Sequence, residues 1–221
     1  MDIVNVIGSG RVGSAVAARL RERGVDVRAD GAELVLLCVP DSAIAEVARG
    51  ISPGPWVAHV SGATPLAALD PHARRFSMHP LQTFTRVRGP EQLDGAWAAV
   101  TAESAEAQAY GTALAELLGL RPFALRDDAR TLYHAGAVFG SNYIVALHRA
   151  ATLLFEAAGA PPEALEPLMR RTIENGFELT GPIARGDWAT VDAHKAAIHD
   201  ARPELDDLYD SLAGATLALA T

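Results

Sequence analysis

The stretch Gly8-Ser9-Gly10-Arg11-Val12-Gly13 follows an apolar run, Ile3 to Ile7, and leads into a helical pattern from Val12 to Arg23. No other feature constrains the fold as strongly. A strand that turns through glycines directly into a helix is the opening of a Rossmann-type βαβ unit. The first glycine permits the tight turn, the second lets backbone amides approach a pyrophosphate, and the third lets the helix pack close to the strand. The start of the helix then adds its partial positive charge. Gly8, Ser9, Gly10, Arg11, Val12 and Gly13 are therefore candidate cofactor contacts; the alternative is a tight turn that holds no ligand.

Past this turn, short apolar runs alternate with helical patterns, as in parallel βαβ units. Val25 to Arg28 reads as a very short strand and Leu34 to Val39 as a buried one. A helix over Ser42 to Arg49 and a strand over Trp56 to Val60 come next. Arg75 to Met78 and Trp97 to Thr101 read as further strands. The helix Ser104 to Leu118, stopped by Gly119, leads to a last strand at Pro122 to Leu125. After Arg126 no strand signal returns. Ala129 to Ala158 reads as one long helix and Glu163 to Leu179 as a second. A third runs from a cap at Asp187 or Thr190 to about His199, and Pro203 opens a fourth. The expectation is an α/β fold: a Rossmann doubly wound parallel sheet over residues 1–126, then an all-α domain over 127–221.

Composition narrows the function classes. The chain is 49% hydrophobic with 21% charged residues, ordinary for a globular protein. Its single cysteine, Cys38, excludes a disulfide framework and suits a reducing cytosol. The N-terminus shows no basic n-region or cleavage site, and the apolar stretch Ala135 to Leu147 is too short to span a bilayer. A formal charge of −8 repels nucleic acid. These features predict a cytoplasmic protein that acts on a small molecule, with no nucleic-acid, membrane or metal partner.

Beyond the glycine turn the usual adenosine site looks trimmed, because Ala29 to Glu33 leaves no room for a helix between the second and third strands. Asp30 is the only acid near the place where one usually holds the ribose hydroxyls, and Arg28 the only base placed for a 2′-phosphate; either is equally a solvated loop charge. Val39, Pro40 and Asp41 end the third strand at the edge where open α/β sheets bind ligands. Pro40 either stiffens a loop against the cofactor or merely ends the strand. His59-Val60-Ser61-Gly62 ends the fourth strand, and His79-Pro80-Leu81-Gln82-Thr83-Phe84 comes after the fifth. Ser61 with the Gly62 backbone is suited to a carboxylate or carbonyl, and His79 to donating a proton.

In the long helix His134, Ser141 and Asn142 form a polar stripe that needs partners, either a substrate or a neighbouring subunit. The second helix repeats the theme with Thr172 and Asn175. A helix stop and an N-cap account for Gly181, Pro182, Gly186 and Asp187. They leave Arg185 and His194 unexplained, and these are suited to an anionic substrate and to acid catalysis.

The segments Leu36 to Asp41, His59 to Gly62, His79 to Phe84, Leu179 to Pro182 and Arg185 to Asp187 span both halves. Through them the chain resembles bacterial Rossmann-like proteins with a helical C-terminal domain of unknown function, named by similarity as NADP oxidoreductases of the deazaflavin-dependent type. More distantly it is similar to the superfamily of 6-phosphogluconate, hydroxyacid and prephenate dehydrogenases, pyrroline-carboxylate reductase and ketopantoate reductase. The resemblance implies NADP or NAD as cofactor, nicotinamide near Pro40 and Ser61, and a cleft between the two domains. It also implies a homodimer built through the helical domain. In the hydroxyacid and ketopantoate members a lysine precedes an asparagine by four residues on the interdomain helix. Asn142 matches that asparagine, but Val138 stands at the lysine position, so His79 or His134 would have to supply the acid. The expected activity is reduction of a small carbonyl or imine acid, ketopantoate-like in the most concrete form, with Asn142, Asn175 and Arg185 holding the substrate. The alternative is a dimeric nucleotide- or metabolite-binding protein of the same fold that has lost hydride chemistry.

Overall fold

The computed structural model describes residues 1–220, in two compact units divided between Phe139 and Gly140. The first unit is a seven-stranded sheet in the order β2-β1-β3-β4-β5-β6-β7. Its strands are β1 (Ile3–Ile7), β2 (Asp26–Val27), β3 (Leu34–Leu37), β4 (Trp56–His59), β5 (Arg75–Leu81), β6 (Trp97–Ala102) and β7 (Arg121–Ala124). Its helices are α1 (Arg11–Glu22), α2 (Ile44–Arg49), α3 (Ala105–Leu117) and α4 (Arg130–Gly140), the last residue of which opens the second unit.

Strand β3 shows why the sheet is buried on both sides. Its four residues are all buried, and their alternation feeds two cores. Leu34 and Leu36 join Val16 and Leu20 of α1, Phe76 and Met78 of β5, and Leu114 of α3 on one face. Val35 and Leu37 join Ile44 and Ala48 of α2, with Leu66 and Leu69, on the other. Pairing is parallel from β2 through β5. β6 instead runs antiparallel to β5 and parallel to β7. The chain between β5 and β6 holds only a 3-10 turn at Pro90–Leu93, with no crossover helix to return the chain for a parallel partner.

Three sequence expectations shift. The fifth strand runs on to Leu81, so His79 and Pro80 lie within it and pair opposite Ala99 and Ala98. The expected long helix is two, α4 and α5 (Asn142–Ala157), broken at Ser141 with φ −134° and ψ −70°. The break removes the common helical phase that placed His134, Ser141 and Asn142 on one stripe. The contact boundary between units also falls beyond Arg126, because α4 packs against the sheet through Arg130.

The second unit is helical: α5, α6 (Leu165–Glu174), α7 (Trp188–Ala201) and α8 (Asp206–Ala220). α6 stops well before Leu179, since Asn175 caps it and Gly176 and Phe177 both take positive φ, 69° and 61°. Asp187 caps α7, accepting from the Thr190 amide at 3.2 Å. α5 and α8 contain no buried residue. Among the described residues no helix is long and apolar enough to cross a membrane.

Candidate functional site

The register places the ends of β1, β3 and β4 level with the middle of β5: Ile7 opposite Leu37, Leu37 opposite His59, and His59 opposite Ser77. The glycine turn and the polar strand ends therefore share one carboxyl edge. In the turn, each glycine has its own reason. Gly8 has φ +115°, and a Cβ there would stand 2.3 Å from the Cys38 carbonyl oxygen. A Cβ on Gly13 would stand 2.0 Å from the Gly8 carbonyl oxygen, so its absence is what lets α1 lie against β1 and β3. At Gly10, the N-cap of α1, a Cβ would meet nothing within 4 Å, and no side chain caps the helix. Free amides facing open space at a helix start fit a pyrophosphate.

The other expected cofactor contacts sit nearby. Ser9 is exposed and its carbonyl accepts from the Ser14 hydroxyl at 3.1 Å. Arg11 is exposed and its guanidinium donates to the Phe84 carbonyl at 3.4 Å. Val12 packs on the core at the turn. Val39 packs on the second core, and Pro40 is exposed, capping a 3-10 turn at Asp41–Ala43. Arg28 is ion-paired to Asp26 at 2.7 Å, so its charge is already met beside β2.

Ser61 is buried, and its hydroxyl is spent on the loop after β4. It accepts from the amides of Ala63 and Thr64 at 3.2 and 3.0 Å and donates to Asp41 Oδ2 at 2.8 Å. It thus bridges the loops after β3 and β4, and Asp41 joins the site through it. His59, fully buried, accepts from the Ser61 amide on Nδ1 at 3.2 Å. Burial, with the Arg130 charge adding to it, pushes its imidazole down to about 3, so the ring is neutral.

The first residue of α4 places an unexpected buried cation against the sheet. Arg130 is 1% exposed; its guanidinium donates to the Ser77 hydroxyl of β5, to the Thr101 hydroxyl of β6 at 2.9 Å, and to the Ser61 carbonyl. One turn later Tyr133 and His134 reach His79. The Tyr133 hydroxyl lies 2.8 Å from His79 Nδ1. Burial, helped by His134 and then Arg130, pushes His79 down to about 4, while burial pushes Tyr133 up to about 12. Both are neutral near pH 7. A phenol is a better acid than a neutral imidazole, so the tyrosine donates to Nδ1 and the ring carries its own proton on Nε2.

The His79 and His134 rings lie 6.1 Å apart, edge to face. Gly62 sits between them: a Cβ there would be 2.6 Å from His134 Cδ2 and 2.9 Å from His79 Cε1. Gly62 is thus the gap into which both rings fit. Arg130 and Tyr133 escape sequence reading because nothing in an Arg-x-x-Tyr-His string on a helix shows that its polar face will be buried.

The stretch that carries this arrangement also decides the family. Residues 96–216 match the family described as a domain of unknown function (DUF2520), and residues 23–83 match the Rossmann-like domain. The chain belongs to the DUF2520 family. No curated protein matches it. Among solved structures it is similar to a Bacteroides fragilis protein designated an NADP oxidoreductase, at 23% identity and TM-score 0.82 over 98% of each chain. A Thermotoga maritima protein is similar at 22% identity and TM-score 0.78, over 98% of this chain and 97% of that one. The 1-pyrroline-5-carboxylate reductase of Streptococcus pyogenes is similar at 17% identity and TM-score 0.63, over 99% and 97%. Likeness at this identity establishes the shared fold.

The remaining expected residues lie in the helical unit. Asn142 is exposed at the start of α5, its side-chain oxygen accepting from Ser141 at 3.0 Å. Asn175 and Arg185 are exposed, the former at the end of α6. His194 Nδ1 lies 3.0 Å from the Tyr209 hydroxyl, on α7 against α8. Of the three residues proposed for catalysis, the structure brings His79 and His134 together.

Proposed function

We propose that this DUF2520 protein is an NAD(P)-dependent oxidoreductase that reduces a small carbonyl or imine acid. One observation carries the reading. A neutral, half-buried histidine with a phenol behind it stands on the same sheet edge as a helix start left open at Gly10. The Bacteroides fragilis neighbour, named an NADP oxidoreductase, and the Streptococcus pyogenes neighbour, named a 1-pyrroline-5-carboxylate reductase, support the reading. Gly8, Gly10 and Gly13 with the first amides of α1 would hold the pyrophosphate, and Arg11 flanks it. The bound nicotinamide supplies the hydride. His79 then delivers the proton from Nε2 to the carbonyl oxygen or imine nitrogen and recovers one on Nδ1 from Tyr133. Arg130 favours this relay, since its positive charge stabilises the phenolate left behind. His79 backed by Tyr133 thus stands in for the acid that Val138 cannot supply, and NADP is the first cofactor to test.

The helical unit supports a homodimer. α5 presents Ile144, Val145 and Leu147 to solvent, and α8 presents Leu208, Leu212 and Leu217. Apolar faces of that extent mark interaction surfaces. A second reading, a dimeric metabolite-binding protein without turnover, is favoured by the two-residue β2 and by the pairing of Arg28 with Asp26.

Calorimetric titration with NADPH and NADH, followed by a turnover screen of 2-oxo acids beginning with ketopantoate and of cyclic imines, separates the two. Binding with turnover lost in His79→Asn and reduced in Tyr133→Phe supports the reductase. Absence of any nicotinamide binding at millimolar concentration overturns it.

A further inference from the structure

A cleft of about 210 Å³ opens beside the glycine turn, between α1 and the loop that joins β5 to β6. Gly10, Arg11 and Ser14 line it from α1, and Thr85, Arg86 and Arg88 from the loop. Among the described residues no carboxylate pairs with any of these three arginines, on a chain whose net charge is −8. Glu91, beside the lining residues Gly89 and Pro90, accepts from the Gly89 amide at 2.9 Å.

The loop is a built structure. Phe84 is buried in the first core and pins one end. Gln92, 5% exposed, ties down the rest: its side-chain oxygen accepts from the Thr85 amide at 2.7 Å, and its nitrogen donates to the carbonyls of Arg88 and Gly89 at 2.9 Å each. Gln82 in turn donates to the Gln92 carbonyl at 3.1 Å. With its polar backbone held inward by a buried amide, the loop presents Arg86 and Arg88 outward to the cleft. Arg11 closes the other side by donating to the Phe84 carbonyl.

From this geometry we infer a second phosphate-binding subsite, in which Arg86 and Arg88 of the β5–β6 loop, with Arg11, grip a phosphate group of the ligand from the side opposite β2. Guanidinium forks match phosphate oxygens in shape as well as charge, and three of them beside an uncapped helix start suit a dianionic or pyrophosphate group. The subsite offers a reason why the chain can manage with the short β2 and the paired Arg28: the phosphate grip moves from the β2 edge to the β5–β6 loop. Assigning the phosphate to a nicotinamide nucleotide rests on the function proposed above; the anion site itself does not.

The test uses calorimetry on the full chain with inorganic pyrophosphate and, separately, with NADPH. The Arg86→Ala/Arg88→Ala double variant is compared with wild type and with Arg49→Ala/Arg149→Ala, which makes the same change in net charge at positions elsewhere. Thermal melts confirm that all three fold. Loss of charge-assisted contacts from two partly solvated arginines weakens pyrophosphate by about tenfold or more in the first variant alone. Equal pyrophosphate affinity in wild type and the Arg86/Arg88 variant overturns the inference, as does no pyrophosphate binding to wild type. NADPH weakened in parallel supports the nucleotide as the bearer. Pyrophosphate binding without NADPH binding supports the anion subsite while overturning the reductase reading. NADPH bound equally by wild type and the variant overturns the subsite as a cofactor grip.

Discussion

Gly13 and Gly10 should respond to the same substitution in opposite ways. A Gly13→Ala side chain would stand 2.0 Å from the Gly8 carbonyl oxygen and 3.0 Å from Cys38 Cβ. Neither neighbour can swing aside, since Gly8 is backbone with φ +115° and Cys38 donates its amide to the Ile7 carbonyl at 2.8 Å. Relief requires α1 to move off the sheet by on the order of 1 Å, to restore an ordinary contact distance. That strains the packing of Val16 and Leu20, both fully buried. Overpacking of this kind costs about 3 kcal/mol at its upper end, and a helix interior recovers about 1 kcal/mol on replacing glycine by alanine, leaving a net loss of about 2 kcal/mol. Gly10→Ala is different. Its φ of −70° and ψ of −172° suit alanine and the Cβ meets nothing, so stability falls by less than about 1 kcal/mol, the cap preference alone. Its methyl would instead crowd the phosphate seat and weaken NADPH by about tenfold. Urea unfolding and calorimetric titration measure the two effects. A Gly13→Ala loss below about 0.5 kcal/mol would refute the steric account. Undiminished NADPH affinity in Gly10→Ala would refute the cradle.

Arg130→Ala should destabilise the sheet unit by about 3 kcal/mol, because the Ser61 carbonyl loses its donor and a cavity opens over Ser77 and Thr101. Arg130→Met, which fills the space and removes the cost of burying a charge, should lose less; urea midpoints for the pair check the order. The neutral histidines set the acid limit. His59 and His79 have folded values of about 3 and about 4, below the 6.5 of the free ring, so the unfolded chain binds the extra protons. Their stabilising effect is complete above the unfolded value and is lost as pH falls through the window below it. Between about pH 7.5 and about pH 5 each should remove about 2 kcal/mol, and His79→Gln should flatten its share in urea melts at the two values. Val145→Asp, at an exposed apolar position of α5, should shift the sedimentation of the proposed dimer to that of a monomer. A wild-type chain that sediments as a monomer at micromolar concentration would refute that proposal.

The local part of this protein was legible in its residues. A glycine turn, the run Leu34 to Val39 and the cap at Asp187 act within a few residues of themselves, so strand, helix and turn could be read in order. Their spacing also placed Ser61, Gly62 and His79 near a ligand edge. Arg130 and Tyr133 could not be found in that way, because their partners Ser77, Thr101 and His79 lie about thirty to fifty positions distant along the chain. Only the tertiary fold buries the cation against Ser77 and Thr101 and, mainly by burial, holds His59 and His79 neutral; only the tethering of the β5–β6 loop by Gln92 turns Arg86 and Arg88 from two surface charges into one wall of a cleft. The break at Ser141 belongs to the same class, since helical periodicity continues across it while the tertiary fold does not. Short-range sterics determined the turn and the strands by themselves. Burial, which depends on which distant segments meet, decided the chemistry at their edge.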